Sequence, residues 1–543
     1  MLLLILSISI FSFILAYHIY GGFLSNRYKL DDTRVTPSHS DYDGIDRVPT
    51  HKAVLLGHHF SSIAGAAPIV GPIIAGIAFG WAPVLLWVIF GSIFIGGVHD
   101  FSSLVASIRH RGRSVAEIAR EYMSPLAYKL LLVFIWLALV YVLTVFTDLT
   151  ATTFIEDGGV ATSSILFIVL AVVFGLSINR FKVSLLWASL VFVPVVFAAV
   201  WVGQKIPISA DMVPGIISGD PKKTWSMFLI LYCFLASTTP VWILLQPRDY
   251  LSSYLLYASV LSAFLGILFG GFSVNYPAFT GWSAPNTGTL FPILFISVAC
   301  GACSGFHSIV ASGTSSKQLN KETDAKLIGY GAMLLEGLVA VVALATVAMI
   351  AKGDALTGKP PLVIYGTGMS NFLFVLGIPK NLGFSFGLMA LSAFVLTTLD
   401  TATRLGRYIF EELFSLKGTR ARYLSTLATS VLPAIFVLIT LKDAGGKAIP
   451  AWKAIWPVFG ASNQLLAGLV LLVIAIWLKK TGKNFGFVIG PMIFMNVMTL
   501  WGLVTLLVQS KLSSVGIIAA ALLLLALILM VEACKTVRNI IAA

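Results

Sequence analysis

A small set of titratable side chains lies inside or beside long apolar stretches of the sequence. These residues are His58, His59, His99, Asp100, His307 and Glu336. An ionisable group in the hydrocarbon core of a membrane is costly unless it is paired or hydrated, so such groups usually have a function. Histidine changes its charge near neutral pH. We therefore predict that His99, Asp100 and His307 couple proton movement to the activity of the protein, with a structural hydrogen-bond network as the alternative. Glu336 is a further candidate for protonation.

A second pattern in the same region has the residue types of a metal site. Cys300, Cys303 and His307 follow a C-x2-C-x3-H spacing, which a histidine from elsewhere in the chain could complete as a fourth ligand. Cysteine is also a common small residue inside apolar helices. We expect that no cofactor or structural metal is required, and these three residues are the metal ligands if that expectation is wrong.

Hydroxyl groups offer a third chemistry, because oxygen atoms are the ligands that hard cations prefer. Ser312, Thr314 and Ser315 end one apolar stretch and are candidates for binding sodium, with a polar helix end as the alternative. Asp400 and Arg404 are four residues apart, so they are expected to pair on one helix. The coupling ion is therefore a proton or sodium.

The composition predicts the class of protein that positions these groups. The chain has 543 residues, of which 58% are hydrophobic and 11% charged. Soluble proteins carry about 25% charged residues, and disordered chains need low hydrophobicity. Long continuous apolar runs favour membrane helices over an alternating β-barrel. The net charge of +13 is explained by loops on the cytoplasmic side and does not imply nucleic acid.

Hydropathy predicts an all-α polytopic membrane protein with about fifteen transmembrane helices. They are placed at 2–20, 62–79, 81–107, 127–147, 163–178, 183–202, 225–245, 253–271, 290–312, 327–351, 372–396, 424–441, 454–478, 485–508 and 515–534. With the N-terminus outside and the C-terminus cytoplasmic, every arginine falls in a cytoplasmic segment, as the positive-inside rule requires.

Two of these helices contain residues that break a helix in the membrane. Glycine and proline recur in 60–76, FSSIAGAAPIVGPIIAG, and Pro240 follows three hydroxyl residues in 232–247. Freed backbone groups are tolerated at membrane depth only where they line a cavity or are buried in protein, although a simple proline kink is the alternative for each. The predicted substrate site is lined by Ser61, Ser62, Gly65, Ala66 and Pro68 from the first segment and by Ser237, Thr238 and Thr239 from the second.

The two predicted breaks divide the chain into repeats. Five helices follow the first break over 62–202 and five follow the second over 225–396, starting from opposite sides of the membrane. This arrangement predicts a five-plus-five inverted repeat like that of the leucine transporter, with substrate bound near the midplane. The whole chain, 1–543, then forms one transporter domain, with an extra helix at 2–20 and four C-terminal helices within 424–534.

Several long motifs resemble the carbon starvation protein A (CstA) family. They are VPTHKAVLLGHHFSSIAGAAPIVGPIIAG at 48–76, GGVHDFSSL at 96–104, RGRSVAEIAREYMSP at 111–125, LQPRDYLSSYLLY at 245–257, CGACSGFHSIVASGTSSKQL at 300–319, TTLDTATRLGRYIFEEL at 397–413 and WPVFGASNQLLAG at 456–468. The resemblance is dense over about 45–415. It implies an inner-membrane transporter of the amino-acid/polyamine/organocation superfamily, with members linked to peptide uptake during carbon limitation and others to uptake of pyruvate with protons.

The sequence therefore predicts a secondary active transporter and not an enzyme. It is expected to import short peptides or small carboxylates such as pyruvate by alternating access, with proton coupling. The alternatives are a sodium-coupled symporter of amino-acid-like substrates, a metal-binding intramembrane enzyme, or a channel. A small molecule and the lipid bilayer are the expected partners, and the oligomeric state stays open.

Overall fold

The protein is a helical bundle in a computed structural model that describes residues 1–44, 46–213, 215–217, 219–285, 287–440, 448–511 and 513–542. The helices of the first half are α1 Leu2–Tyr28, α2 Pro37–Ser40, α3 Lys52–Ile63, α4 Ala67–Phe79, α5 Trp81–Gly91, α6 Gly97–Arg109, α7 Val115–Tyr122, α8 Pro125–Glu156, α9 Gly158–Asn179, α10 Leu185–Lys205, α11 Pro221–Thr238 and α12 Leu245–Gly270. Those of the second half are α13 Leu290–Ser297, α14 Gly305–Gly313, α15 Ala332–Ala348, α16 Pro361–Val375, α17 Lys380–Phe414, α18 Thr419–Leu438, α19 Ala451–Lys480, α20 Gly486–Ser510 and α21 Ser514–Ala542.

The remaining regular structure is short. Two π-helical turns, Ser92–Gly96 and Lys326–Gly331, join α5 to α6 and lead into α15. The strands β1 Ser283–Ala284 and β2 Gly288–Thr289 pair antiparallel in the loop before α13. Short 3-10 turns lie at Ala210–Met212, Ser315–Lys317, Glu322–Asp324 and Ala355–Gly358.

The bundle has two faces. On one face, which we call the arginine-rich face, Arg109 pairs with Glu322 at 2.9 Å. The opposite face carries Asp148, which pairs with Lys222 at 2.9 Å. α1 begins at the opposite face and α21 runs toward the arginine-rich face, so the two ends of the described chain lie on different sides.

The described helices cross between the faces fifteen times. Twelve of them are long and apolar enough to span a membrane, and α3 and α4 together form a further span that bends by 45°. α11 and the pair α13–α14 also run from face to face. Lys223, near the start of α11, donates to Thr440 at the opposite face, whereas Arg407 from the arginine-rich end of α17 donates to the carbonyl of Ser237 near the end of α11. The predicted all-α polytopic fold is confirmed, although residue 441 of the predicted helix 424–441 lies outside the described residues.

The predicted helix 372–396 is wrong in its bounds. α16 ends at Val375 and α17 begins at Lys380 after Pro379, and α17 continues to Phe414. The predicted span ends at 396, before a polar stretch, but Thr397, Asp400 and Arg404 are all buried by neighbouring helices. Hydropathy cannot distinguish burial in protein from exposure to water, so it ended the helix too early.

The predicted second break, near Ser237–Pro240, is also wrong. α11 ends at Thr238 and α12 begins at Leu245, so this segment connects two spans at the arginine-rich face. Pro240 has no backbone N–H with which to continue the helix. The carbonyls at the end of α11 are satisfied by Arg404, which donates to Ala236 and Thr239, and by Arg407.

The second break lies between α13 and α14, over residues 298–304. It packs directly against the first, since a Cβ on Gly301 would lie 3.5 Å from the Cα of Pro68. The packing of the halves is related by inversion: α4 contacts α15, and α14 contacts α6. Each broken span is followed by a helix with a π-helical turn. The bounds 62–202 and 225–396 for the repeats stay a prediction, as does the single domain 1–543.

Candidate functional site

The first break joins α3 to α4 at the centre of the bundle. The predicted lining residues at this break are all buried: Ser61, Ser62, Gly65, Ala66 and Pro68. A side chain at 65 has no room, because a Cβ there would lie 2.6 Å from the Phe146 ring and 2.9 Å from the Thr398 hydroxyl.

Two threonines of α17 satisfy the carbonyls that the first break frees. Thr397 donates to the carbonyl of Ser61 at 2.8 Å, and Thr398 donates to that of Ser62 at 3.1 Å. α4 begins beyond the break without a side-chain cap on its first turn. Its N-terminus therefore presents partial positive charge at the middle of the bundle.

The second break is stabilised by donors from three neighbouring segments. Trp87 donates its indole N–H to the carbonyl of Val298 at 2.9 Å, and Ser92 donates to that of Gly301 at 3.1 Å. On the other side of the break, the Asn463 side-chain oxygen accepts the N–H of Phe306 at 2.9 Å, so it caps the start of α14. The backbone is unwound here without any proline, because small residues let it approach α4 and α15 closely.

Four titratable residues beside the second break form what we call the acid–histidine cluster: His99, Asp100, His307 and Glu336. All four are buried. His307 Nδ1 lies 2.7 Å from Asp100 Oδ2, and His307 Nε2 lies 3.0 Å from Glu336 Oε2. His99 Nδ1 lies 2.7 Å from the other oxygen of Asp100. The structure thus brings together the three residues predicted to couple protons and adds Glu336 to them.

The geometry of this cluster makes its proton content variable. His307 faces a carboxyl group with each ring nitrogen, but a neutral imidazole has only one N–H donor. Both contacts are favourable only when a second proton is present, either on the ring or on a carboxyl group. The Glu336 oxygens have no hydrogen-bond partner among the described residues, and a buried carboxylate without partners is strongly disfavoured. The charge balance between α6, α14 and α15 therefore depends on how many protons the cluster holds.

The predicted metal ligands are only partly brought together. Ligand atoms of Cys300, His307 and Glu336 lie within 4.8 Å of one another, whereas Cys303 is outside this group. Cys300 Sγ already lies 3.3 Å from the Ser304 hydroxyl, to which it donates, and it accepts from Asn463 at 3.4 Å. A thiolate, an imidazole and a carboxylate are ligands that zinc accepts, but a structural zinc site needs a fourth.

A second group of charged residues lies beside the first break, and we call it the arginine cluster: His58, Tyr232, Arg248, Asp249 and Asp400. Arg248 pairs with Asp400 and lies 4.0 Å from Asp249. Tyr232 donates to Asp400 at 2.7 Å, and His58 Nδ1 lies 2.6 Å from Asp249 Oδ2. The predicted pairing of Asp400 with Arg404 is wrong, because Arg248 occupies the carboxylate and Arg404 caps α11.

The hydroxyl residues predicted to bind sodium lie between the two clusters. Ser315 contacts His59 Nδ1 at 2.7 Å, and Thr314 contacts His58 Nε2 at 3.3 Å. Ser312 donates to a carbonyl of its own helix at 2.7 Å. Thr314 and Ser315 therefore lie beside α3 and act as hydrogen-bond partners of its histidines. Sodium binding by the three hydroxyl residues stays a prediction.

The other predicted lining residues lie apart from the first break. Thr238 and Thr239 donate to carbonyls within α11, and the Ser237 hydroxyl has no hydrogen-bond partner among the described residues. Their segment is the connection at the arginine-rich face. The structure therefore does not bring Ser237, Thr238 and Thr239 to the breaks.

Sequence reasoning missed several residues of both sites. Arg248 and Asp249 fall between the predicted helices 225–245 and 253–271 and have no role in the sequence prediction. Asn463 is a polar residue inside an apolar run and likewise has none. A signal was present in each case. The sequence LQPRDY places two adjacent opposite charges directly before a long apolar helix, and ASNQLL places two amides inside one.

Comparison with known proteins gives one family over most of the chain. The family described as "Carbon starvation protein CstA" matches residues 1–364 and 354–502. The peptide transporter CstA of Escherichia coli (strain K12) is 30% identical and aligns with 88% of this chain and 76% of its own. The peptide transporter CstA of Bacillus subtilis (strain 168) is 32% identical, with 87% and 84% covered. The pyruvate/proton symporter BtsT of Escherichia coli (strain K12) is 29% identical, with 91% and 80% covered.

A solved structure supports the fold independently. MhsT in complex with L-phenylalanine superposes on 89% of this chain and 99% of its own with a TM-score of 0.50, at 13% sequence identity. At this identity the likeness concerns the fold alone, and it confirms the predicted inverted-repeat transporter fold.

Proposed function

Because this chain belongs to the carbon starvation protein CstA family, we propose that it imports short peptides or small carboxylates such as pyruvate, driven by protons. The named relatives are transporters, two of them of peptides and one of pyruvate with protons. Both kinds of substrate carry a carboxylate. Secondary transport across the inner membrane, with the arginine-rich face in the cytoplasm, agrees with the positive-inside rule.

The acid–histidine cluster is the observation that carries the proposal of proton coupling. It joins α14 of one broken span to α6 and α15, which follow the two breaks. All ion pairs that its carboxyl groups make among the described residues are with histidine, so a proton is the charge that varies there. A change in its proton content shifts the packing between the two halves of the fold, which is what alternating access requires.

The substrate is proposed to bind between the two breaks, which are in contact in this structure and would separate to admit it. The uncapped first turn of α4 offers backbone N–H groups and partial positive charge to a carboxylate. Ser61, Ser62, Gly65, Ala66 and Pro68 would line that side of the site, and the backbone around Gly301 would line the other. A bound proton at His307 or Glu336 would bring a second positive charge toward the same place. Substrate and proton would thus favour the same closed state.

Uptake into proteoliposomes tests the function directly. Labelled pyruvate and a labelled dipeptide are supplied separately, each with an imposed proton gradient or an imposed sodium gradient. We expect one or both substrates to accumulate with the proton gradient alone, and to stop accumulating when a protonophore collapses it. Accumulation that requires the sodium gradient would show that sodium, and not a proton, is the coupling ion. If the protein is folded and neither substrate accumulates, the proposed substrate class is wrong.

A variant pair assigns the coupling to the cluster. Asp100→Asn removes one titratable carboxyl group at nearly constant volume, whereas Asp211→Asn makes the same change at an exposed loop position. We expect Asp100→Asn to lose uphill accumulation and to retain exchange of substrate across the membrane. Asp211→Asn should match the wild-type protein in both assays. Proton-driven accumulation by Asp100→Asn would show that the cluster is structural.

A further inference from the structure

A cavity of about 630 Å³ opens on the arginine-rich face, away from the two breaks. Its walls are the last turn of α1, the segment 34–40, the end of α6 and the loop after α19. The predicted and proposed transport residues are not among those that line it. The cavity is therefore distinct from the substrate pathway proposed above.

The lining of this cavity has a strong excess of positive charge. Six cations line it, namely Arg27, Lys29, Arg34, Arg109, Arg111 and Lys483, with Glu322 as the one lining carboxylate. That carboxylate is fully engaged, because it pairs with Arg34 at 2.8 Å and with Arg109 at 2.9 Å and also accepts the N–H of Asp31.

Three of these cations make no ion pair with any carboxylate that the structure describes. Arg111 pairs with Asp41 at 2.6 Å. Arg27 instead lies over the ring of Phe23, and Lys483 lies over that of Trp477. Burial, together with the guanidinium groups of Arg109 and Arg34, lowers the pKa of Lys483. The cavity therefore holds a positive potential that a bound anion would relieve.

The position of the cavity indicates where an anion could come from. α1 is a peripheral helix with Phe11, Ile19 and Phe23 exposed along its outer side. Its last turn, which carries Arg27, begins where this apolar surface ends. Basic pockets at this level of a membrane protein suit the headgroups of anionic lipids. The cavity is also open to solvent, so a soluble phosphate compound could reach the same cations.

We propose that this cavity is a binding site for a phosphate-bearing anion, held by Arg27, Lys29 and Lys483 with the guanidinium groups of Arg34 and Arg109 behind them. Arginine and lysine at a concave surface are the residues that recognise phosphate oxygens. This site is separate from the proposed substrate site. A bound anion there would contact the end of α1, the end of α6 and the loop after α19.

Binding to the purified, delipidated full-length protein in detergent tests the proposal. The probes are short-chain phosphatidylglycerol, short-chain phosphatidylcholine and inorganic pyrophosphate, each followed by isothermal titration calorimetry. The test variant combines Arg27→Gln, Lys29→Gln and Lys483→Gln. The matched control combines Lys417→Gln, Arg420→Gln and Arg422→Gln, which removes the same charge from exposed positions in the connection after α17 and in the first turn of α18.

We expect phosphatidylglycerol or pyrophosphate to bind and phosphatidylcholine not to bind. Each near-surface cation strengthens attraction to an anionic headgroup by about fivefold, so the test variant should bind on the order of 100-fold more weakly. The control should bind like the wild-type protein. Preference for phosphatidylglycerol would identify a lipid headgroup, and preference for pyrophosphate a soluble ligand. Equal weakening in both variants, or no binding of either anion to the wild-type protein, would overturn the proposal.

Discussion

The two broken spans each lie beside a buried charged cluster, and the clusters differ in one respect. The arginine cluster at the first break contains Arg248, whose charge is permanent. The acid–histidine cluster at the second break contains only groups that can gain or lose a proton. Both are buried, and both join helices from different parts of the fold.

We propose that this difference gives the two clusters different roles. In the arginine cluster, the permanently charged guanidinium of Arg248 pairs with Asp400, and His58 contacts Asp249, so the cluster holds α3, α11, α12 and α17 together. In the acid–histidine cluster, the charges of Asp100 and Glu336 can be offset only by protons. The permanent charge of an arginine holds its helices together at every pH, whereas a proton that binds and leaves can change how its helices interact.

The largest effect is expected from removing the permanent charge. Arg248→Gln leaves Asp249 and Asp400 buried without their cation, and breaking such a pair costs about 3–5 kcal/mol. We expect a large decrease in the melting temperature of the purified protein, or loss of folded protein on extraction.

A second variant separates charge balance from lost packing. In Arg248→Gln combined with Asp400→Asn, the unpaired carboxylate is removed as well, so part of the stability should return. If Arg248→Gln melts like the wild-type protein but no longer transports, the arginine cluster is functional, and the contrast between the two clusters is wrong.

Neutralising a carboxyl group of the acid–histidine cluster is expected to impair proton coupling and to leave stability nearly unchanged. Glu336→Gln keeps the volume of the side chain and removes its titratable proton. Because Glu336 has no cation of fixed charge to leave unpaired, the variant should fold and melt within a few degrees of the wild-type protein. It should lose proton-driven accumulation in proteoliposomes and retain exchange. A pH dependence of uptake unchanged from that of the wild-type protein would contradict the role of this residue.

The two breaks also differ in how their freed backbone groups are satisfied. Asn463 both caps the start of α14 and donates to Ser304 and Cys300, whereas Thr397 satisfies a single carbonyl at the end of α3. A buried hydrogen bond contributes about 1 kcal/mol, and an orphaned buried group costs about 1–3 kcal/mol. Asn463→Ala should therefore destabilise the protein more than Thr397→Val, as thermal unfolding of both variants would show. Equal melting temperatures would mean that the two caps are equivalent.

The number of crossings could be predicted from the sequence because each crossing needs about 20 apolar residues and the apolar runs are well separated. The second break could not. Glycine and proline marked the first break, but residues 298–304 contain neither proline nor a charge, and the unwinding there depends on donors from Trp87, Ser92 and Asn463. The long extension of α17 was missed for a related reason, since its polar residues are buried by protein.

The candidate site was predicted in part. His99, Asp100, His307 and Glu336 are conspicuous because they interrupt apolar runs, and the structure brings them together. Which residue pairs with which depends on helix packing, and here local spacing misled. Asp400 and Arg404 are one turn apart on α17, but helix packing brings a cationic group from another helix to the Asp400 carboxylate. That group is Arg248 on α12, which lies 152 residues before Asp400 in the sequence.

Metal removal should have the smallest effect on transport. It tests whether a metal ion, and not a proton, balances the charge of the acid–histidine cluster. Cys300, His307 and Glu336 are close enough to ligate zinc, and a bound metal would give the second cluster a fixed cation like that of the first. We expect wild-type protein treated with a chelator to transport as before, because Cys300 is already hydrogen-bonded to Ser304 and Asn463 and the group offers only three ligands. Cys300→Ser, which removes the thiol ligand and keeps a small polar group, should also transport. Suppose that the purified protein holds stoichiometric zinc and that transport is lost when the zinc is removed and in Cys300→Ser. A metal of fixed charge, and not a proton, would then balance the acid–histidine cluster.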